Sequence, residues 1–270
     1  LYLFILVRCK KNRQTDFRTR SSMKKLTALF ALFSFIVASG SSVAAPAPDS
    51  DWTPPLSALV KETQRSSDIS GRVTFVWWIP SVFWEVSLKQ NNTTSPEEAE
   101  NFMKVVRDYT LVLVVDGEMD DRAMANFRSE DEVVADVIFL DRSGLPLHSL
   151  PDSEVSNAFK GVLGSIRPVI SGIIGNMGEN MVFLAFPATD AKGVPLADPY
   201  AEQTFSVVVR GEAFKWHLPL ESLFAPVACE KCAAVCNGSW KFCPWCGTKL
   251  TKAEAKAPEK KAEAPAPGSK

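Results

Sequence analysis

The sequence predicts an α+β protein with a largely antiparallel sheet and two main helices, followed by a small cysteine-bearing module. Three observations predict it. Short runs rich in β-branched and aromatic residues recur through the body, residues 56–226, without regular βαβ alternation. Two stretches of the body space their apolar residues at helical intervals. After Pro226, two Cys-x-x-Cys pairs stand in a segment too short to fold on hydrophobic burial alone.

The elements follow in order. Arg72 to Ile79 reads as a strand carrying adjacent Trp77 and Trp78. Neighbouring strand residues point to opposite faces, so a one-sided core takes one of these indoles and the other needs a helix over it or solvent. Ordinary core is the expectation for this aromatic group, which includes Phe83 and Trp84. Ser81 to Lys89 fits either strand alternation or a helix opened by Pro80. Ser95-Pro96-Glu97-Glu98 is a capping box with proline at the first helical position, and Ala99, Phe102, Met103 and Val106 continue a helix to about Tyr109. Thr110 to Val115 reads as a buried strand leading into a solvated acidic turn of Asp116, Glu118, Asp120 and Asp121.

Val133 to Leu140 and Leu145 to Leu150 read as strands around the turn Asp141-Arg-Ser-Gly144. Apolar residues from Val155 to Ile174 mark the second helix, kinked at Pro168. Its glycines 161, 164 and 172 each cost about 1 kcal/mol relative to Ala, which suggests a closely packed face. Met181 to Phe186 is a further strand. Thr204 to Arg210 and Ala213 to Leu218 form a hairpin around a two-residue Gly211-Glu212 turn.

Catalytic groups are scarce. The chain has two histidines, His148 and His217, neither within a motif. No GxSxG elbow, HExxH helix or phosphate-binding glycine loop occurs. The acidic group at 116–121 lacks the glycine and distal glutamate of a calcium loop. No catalytic residue is assigned.

The strongest signal is Cys229-x-x-Cys232, ten residues, then Cys243-x-x-Cys246. Two CxxC turns at that separation can close a tetrahedron of four thiolates around zinc, and such a site leaves no open position on the metal. With Phe242 before the second pair, Gly247 after it and Leu250 four residues on, residues 227–250 resemble the short zinc-ribbon family found at the ends of many bacterial proteins. The resemblance implies Cys229, Cys232, Cys243 and Cys246 as ligands of a structural Zn2+, with Trp240, Phe242 and Leu250 as a minimal core. Ala233 departs from the pattern, standing where the first knuckle usually has glycine. Cys236 is a further departure, either a replacement for Cys229 or a free thiol. Iron is the minor metal alternative, and in an oxidising compartment disulfides compete with zinc. The CPxC of Cys243 to Cys246 also matches glutaredoxin-like proteins, but the helix and domain that motif opens there have no room here. Trp245, between two ligands in a tight turn, is expected to be exposed and, with Trp240, to anchor an interface.

The ends suggest a location. Met23, Lys24 and Lys25 precede an apolar stretch from Leu26 to Ala38 and small residues to Ala45, the parts of a secretory signal peptide. Residues 1–22 then read as an upstream extension, 23–44 as the signal, cut after Ala44, and 45–55 as a proline-rich linker. An uncleaved membrane anchor is the alternative. Eight of the 30 Lys/Arg but one of the 31 Asp/Glu lie before residue 45. The remaining chain therefore holds 22 basic and 30 acidic groups, a net charge of −8 that disfavours nucleic acid as a partner. The tail, 251–270, is almost wholly Ala, Lys, Glu and Pro and is expected to be a solvated, partly polyproline-like extension.

The expected function is that of an exported, non-catalytic protein with a binding or assembly role in the cell envelope, secreted or periplasmic, meeting a protein partner through its ribbon. No stable membrane span is expected after signal cleavage. A metal- or thiol-responsive protein using the cysteine cluster is the first alternative, and an enzyme acting on an envelope polymer the second.

Overall fold

The computed structural model describes residues 52–90, 94–122 and 124–250. In chain order the body contains α1 (Leu56–Thr63), β1 (Gln64–Ser66), β2 (Arg72–Ile79), α2 (Ser81–Gln90), α3 (Pro96–Val106), β3 (Tyr109–Met119), β4 (Ala125–Phe127), α4 (Glu130–Asp136), β5 (Ile138–Leu140) and β6 (Pro146–Leu147). It continues with α5 (Asn157–Ile174), α6 (Asn176–Glu179), β7 (Val182–Pro187), β8 (Gln203–Val209) and β9 (Glu212–Leu218). The C-terminal module adds β10 (Val227–Ala228) and β11 (Val235–Cys236). Pairing within the three sheets is antiparallel, so the protein is α+β.

The larger sheet runs β1-β2-β3, and the long β3 pairs along its other edge first with β7 and then with β4. The second sheet is ordered β6-β5-β8-β9. Residues paired across strands share a face. Val76, Trp78, Val112, Val114, Leu184 and Phe186 therefore form one face of the large sheet. That face meets the second sheet through Phe205, which stacks between Phe139 and Trp216 at 5.1 Å on either side while Trp78 approaches edge-on at 4.8 Å. Aromatic contacts of this kind add about 0.5–1.5 kcal/mol each beyond area burial.

The opposite face presents Trp77, Ile79, Leu111 and Leu113 to helices. Phe83 of α2 lies edge-on to Trp77, Trp84 continues to Phe102 of α3, and Phe159 of α5 stacks on Tyr109 at 4.1 Å. Both adjacent tryptophans are thus buried because the sheet is covered on both sides. Thr63, at the end of α1, takes both indole donors that reach it. Its hydroxyl accepts from Trp77 Nε1 at 3.0 Å and its carbonyl from Trp216 Nε1 at 3.2 Å. Ahead of α1, Trp52 donates to the Ser222 carbonyl and ties that segment to the body.

Several sequence expectations are corrected. Among the described residues three helices, not two, reach ten residues, because Ser81–Gln90 is helical. The capping box at Ser95 forms with both of its bonds, but α3 stops at Val106, before Tyr109 opens β3. The first half of the expected strand from Val133 is helix α4, started by a second capping box between Ser129 and Glu132. That S-x-x-E signal outweighs the short apolar run after it. Glycines 161, 164 and 172 of α5 face open space, so no close packing explains them. The β8–β9 turn is Arg210-Gly211, both at positive φ (50° and 78°), one residue earlier than expected and of the primed type that matches strand twist.

The acidic turn is corrected at Asp116 alone, since Glu118, Asp120 and Asp121 are exposed as expected. Asp116 lies within β3, is 1% exposed, and accepts from Thr74 Oγ1 at 2.6 Å and Arg128 Nη1 at 3.0 Å. Arg128 also donates to Asp136 at 3.1 Å, and Glu118 pairs with Arg210. The strand pattern predicts a buried run here. What it misses is Arg128, whose charge lets a carboxylate complete that run.

Candidate metal centre

The C-terminal module consists of two short hairpins that repeat each other at an interval of 14 residues. Val227 pairs with Cys236, and Lys241 accepts from the Leu250 N–H at 3.0 Å. Ala228 pairs with Val235, and Phe242 bridges Lys249. The Cys229 N–H donates to Ala234 at 2.9 Å, and the Cys243 N–H to Thr248 at 2.8 Å. The Ala233 N–H returns to the Cys229 carbonyl at 2.8 Å, and the Gly247 N–H to the Cys243 carbonyl at 2.9 Å. Each tight turn so formed offers two sulfurs.

The turns face each other. Sγ atoms of Cys229, Cys232, Cys243 and Cys246 all lie within 4.8 Å of one another. The cross-hairpin contacts Cys229–Cys246 and Cys232–Cys243 measure 3.5 and 3.6 Å. Four thiolates at a metal–sulfur distance of about 2.3 Å place their sulfurs about 3.8 Å apart in a tetrahedron. The donor set therefore fits a metal ion. Among the described residues, no other group of three or more His, Cys, Asp or Glu side chains has such an arrangement.

The electrostatics favour a cation. The Thr248 hydroxyl and N–H hold the Cys246 thiol down at about 6. Burial opposes ionisation of Cys243, but N–H groups of Trp245 and Cys246 bring it below its ordinary value. The Ala234 N–H favours the Cys232 thiolate, yet desolvation and the neighbouring sulfurs push that thiol up to about 12. Four sulfurs this close cannot all ionise against one another, and a dication removes that opposition.

Compared with protein-family models, curated proteins and solved structures, the chain matches none. The assignment of this centre rests on its geometry.

Ala233 adopts the left-handed conformation at φ 57°, beside Gly247 at 69°. The departure from glycine thus leaves the knuckle intact, at a steric cost of about 1 kcal/mol. Cys236 lies outside the four-sulfur cluster. It is 2% exposed and packs with Cys229 and Cys243, beside Val227, Cys246 and Leu250. Desolvation and the nearby sulfurs push its thiol up to about 11.

That set of residues is the module's core, which corrects the expected core of Trp240, Phe242 and Leu250. Only Leu250 of those three packs into it. Trp240 is 36% exposed, Phe242 59% and Trp245 65%, with the two indoles 6.3 Å apart. Trp245 and Trp240 therefore form an outward aromatic patch with Phe242. The 14-residue repeat supplies the signal that sequence reading missed. Leu250 of the second hairpin corresponds to Cys236 of the first, which marks Cys236 as core before any distance is measured.

The module rests on the body. Asn237 Nδ2 donates to the Glu221 carbonyl at 2.8 Å, Trp240 Nε1 lies 3.2 Å from Glu221 Oε1, and Lys241 pairs with Glu202 at 3.2 Å. A Cβ on Gly238 would stand 2.2 Å from the Ala225 carbonyl oxygen, so glycine is required at this contact. Neither histidine belongs to the sulfur cluster: both are exposed, and His217 Nδ1 is 3.2 Å from Thr204 Oγ1 across the β8–β9 pair. No helix among the described residues is long and apolar enough to cross a membrane. The expected signal segment, 23–44, and the tail, 251–270, lie outside the described residues.

Proposed function

We propose that this is an exported, non-catalytic protein whose zinc ribbon presents a rigid aromatic surface to a protein partner in the cell envelope. The observation that carries the reading is the closed set of four cysteine sulfurs beside three outward aromatic side chains. A tetrathiolate suits zinc, and with its four positions filled the ion has none left to polarise a substrate or activate water. Its contribution is shape: it fixes two hairpins that bury almost nothing apolar besides the cysteines, and so fixes Trp240, Phe242 and Trp245. Export rests on the charged, apolar and small-residue succession from Met23 to Ala44.

The test has two parts. Protein recovered from outside the cytoplasm begins at Ala45 and carries one zinc per chain, and Trp245→Ala lowers recovery of its envelope partner at least tenfold while zinc content is unchanged. Retention of Met23 contradicts signal cleavage and favours the anchored alternative, zinc-free protein with two disulfides contradicts the centre, and full partner recovery by the Trp245→Ala variant contradicts the surface.

A further inference from the structure

The two hairpins of the ribbon act as controls for each other. Their backbone pairing and sulfur geometry repeat, yet their outward side chains do not. Pro226, Ala228 and Lys231 of the first hairpin correspond to Trp240, Phe242 and Trp245 of the second. The first hairpin forms without aromatic residues at these places. The metal fold therefore does not require them in the second, where Phe242 and Trp245 stand mostly in water and Trp240, held at Glu221, is about one-third exposed.

Beside this patch is a groove of about 600 Å³ between ribbon and body. Pro219, Trp240 and Phe242 give it apolar walls, Glu62, Glu202 and Glu221 give it carboxylates, and Arg65 and Lys241 also line it. Glu202 is paired with Lys241, but Glu62 Oε2 is buried without a hydrogen-bond partner. Burial raises the pKa of this carboxyl, with the neighbouring Glu221 adding to the effect. The groove thus combines aromatic walls with three carboxylates against the two cations Arg65 and Lys241, an excess of acid.

The chain itself carries a segment of complementary chemistry that begins at the rim. Leu250 is hydrogen-bonded to Lys241, the residue between Trp240 and Phe242, and residues 251–270 continue from there. They include five lysines against three glutamates, with prolines at 258, 265 and 267. Residues 52–250 hold 17 Lys/Arg and 25 Asp/Glu, so the segment is opposite in sign to the surface it leaves. Proline-containing extended peptides lie well on tryptophan-lined grooves because little conformational entropy is lost on binding. Ten residues of chain reach about 17 Å on average, and a tether that short gives an effective concentration of order millimolar. A weak contact is therefore enough.

We propose that the Lys256–Pro267 segment docks in cis on the Trp240–Phe242–Trp245 surface and the adjoining acidic groove, so that a partner must displace it. This rests on the ribbon reading above and names the first occupant of that surface. Docking shields the two outward indoles, and the lysines approach Glu62 and Glu221.

The test uses the full zinc-loaded chain. Trp77, Trp78, Trp84 and Trp216 are buried, so acrylamide quenching of tryptophan emission reports chiefly on Trp240 and Trp245, with a smaller contribution from half-buried Trp52. Reversing Lys256, Lys260 and Lys261 to Glu raises the quenchable fraction about twofold, and Pro265→Gly with Pro267→Gly raises it in the same direction. Zero-length carbodiimide coupling joins Lys260 or Lys261 to Glu221 or Glu202. In a mixture of 14N- and 15N-labelled chains, those linked peptides carry a single isotope. Unchanged quenching in both variants overturns the proposal, as does the absence of linked peptides. Mixed-isotope links overturn it in favour of a second copy as occupant. A chain that binds no zinc fails the ribbon reading instead, which the metal content of the same sample shows.

Discussion

Ala233 and Gly247, 14 residues apart, hold the same left-handed backbone conformation, at φ 57° and 69°, behind the two cysteine pairs of the C-terminal module. The turn geometry needs that conformation so that each N–H reaches back to the first cysteine's carbonyl. Glycine enters it freely, and alanine does so against a steric penalty. Ala233→Gly should therefore stabilise the metal-loaded module by no more than about 0.5 kcal/mol, after the greater chain entropy of glycine is deducted. Competition with a chelator of known affinity measures this. A weaker metal site in the variant would mean that the strain at Ala233 is not real.

Cys236 and the four clustered cysteines make separable predictions. Replacing Cys229, Cys232, Cys243 or Cys246 by Ser should abolish stoichiometric metal binding and the thiolate-to-cobalt charge-transfer band of the cobalt-substituted protein. Cys236→Val should retain both, because Cys236 fills the core place that Leu250 fills in the other hairpin. Cys236→Ser should retain the band but lower stability by about 1–2 kcal/mol, through a hydroxyl left in an apolar site. Loss of the band in both Cys236 variants would require a different ligand set.

Removing the metal should leave the body standing. The C-terminal module meets it through a few polar contacts and the close approach of Gly238 to Ala225, whereas the body's aromatic core lies between its own two sheets. Chelation, or deletion of residues 227–270, should shift the body's melting temperature by no more than about 4 °C, corresponding to under 1 kcal/mol. Gly238→Ala should keep the metal yet loosen the ribbon from the body, seen as a red shift of Trp240 emission. Unfolding of the body on chelation would make the ribbon a structural lid.

The charged cluster beside β3 should be a stability determinant. Asp116 is buried and depends on Arg128 for its opposite charge. Arg128→Met strands that carboxylate and should cost about 3 kcal/mol, measured by urea unfolding. A loss under 1 kcal/mol would show that water reaches Asp116.

Glu62 gives the pH dependence. Its carboxyl pKa is raised in the folded protein, first by burial. The folded state then keeps a proton that the unfolded chain has released, so this contribution is full below the ordinary carboxyl range and is lost as pH rises from there through the raised folded-state value. Glu62→Gln should remove this decline and melt higher than the parent protein at neutral pH. Parallel pH–stability curves for the two proteins would refute the burial effect.

Much of the fold was legible because its signals are local. The capping box at Ser95, the Asp141–Gly144 turn and the strand Arg72–Ile79 depend on residues next to one another, and each forms as read. So does the closeness of the four cysteines, since each CxxC turn is local and the ten residues between them leave few ways to place the pairs. Where two local signals competed, the reading failed. At Ser129 a capping box overrode an apolar run, and at Arg210 turn geometry decided by one residue what glycine position suggested.

By itself, then, the sequence determined the α+β class, the cysteine pairs and the exposure of Trp245, because these follow from periodicity, spacing and the size of the module. Tertiary structure decided the rest. Only the second sheet and the helix layer together show why adjacent Trp77 and Trp78 are both core, since burial on two faces requires elements distant in sequence. Only packing shows that Asp116 belongs inside, because Arg128 reaches it from another strand end. Only the pairing of the two hairpins shows Cys236 as the counterpart of Leu250. A thiol's place in a core or on a metal is set by a few ångströms between chain segments, and that distance is not written in spacing alone.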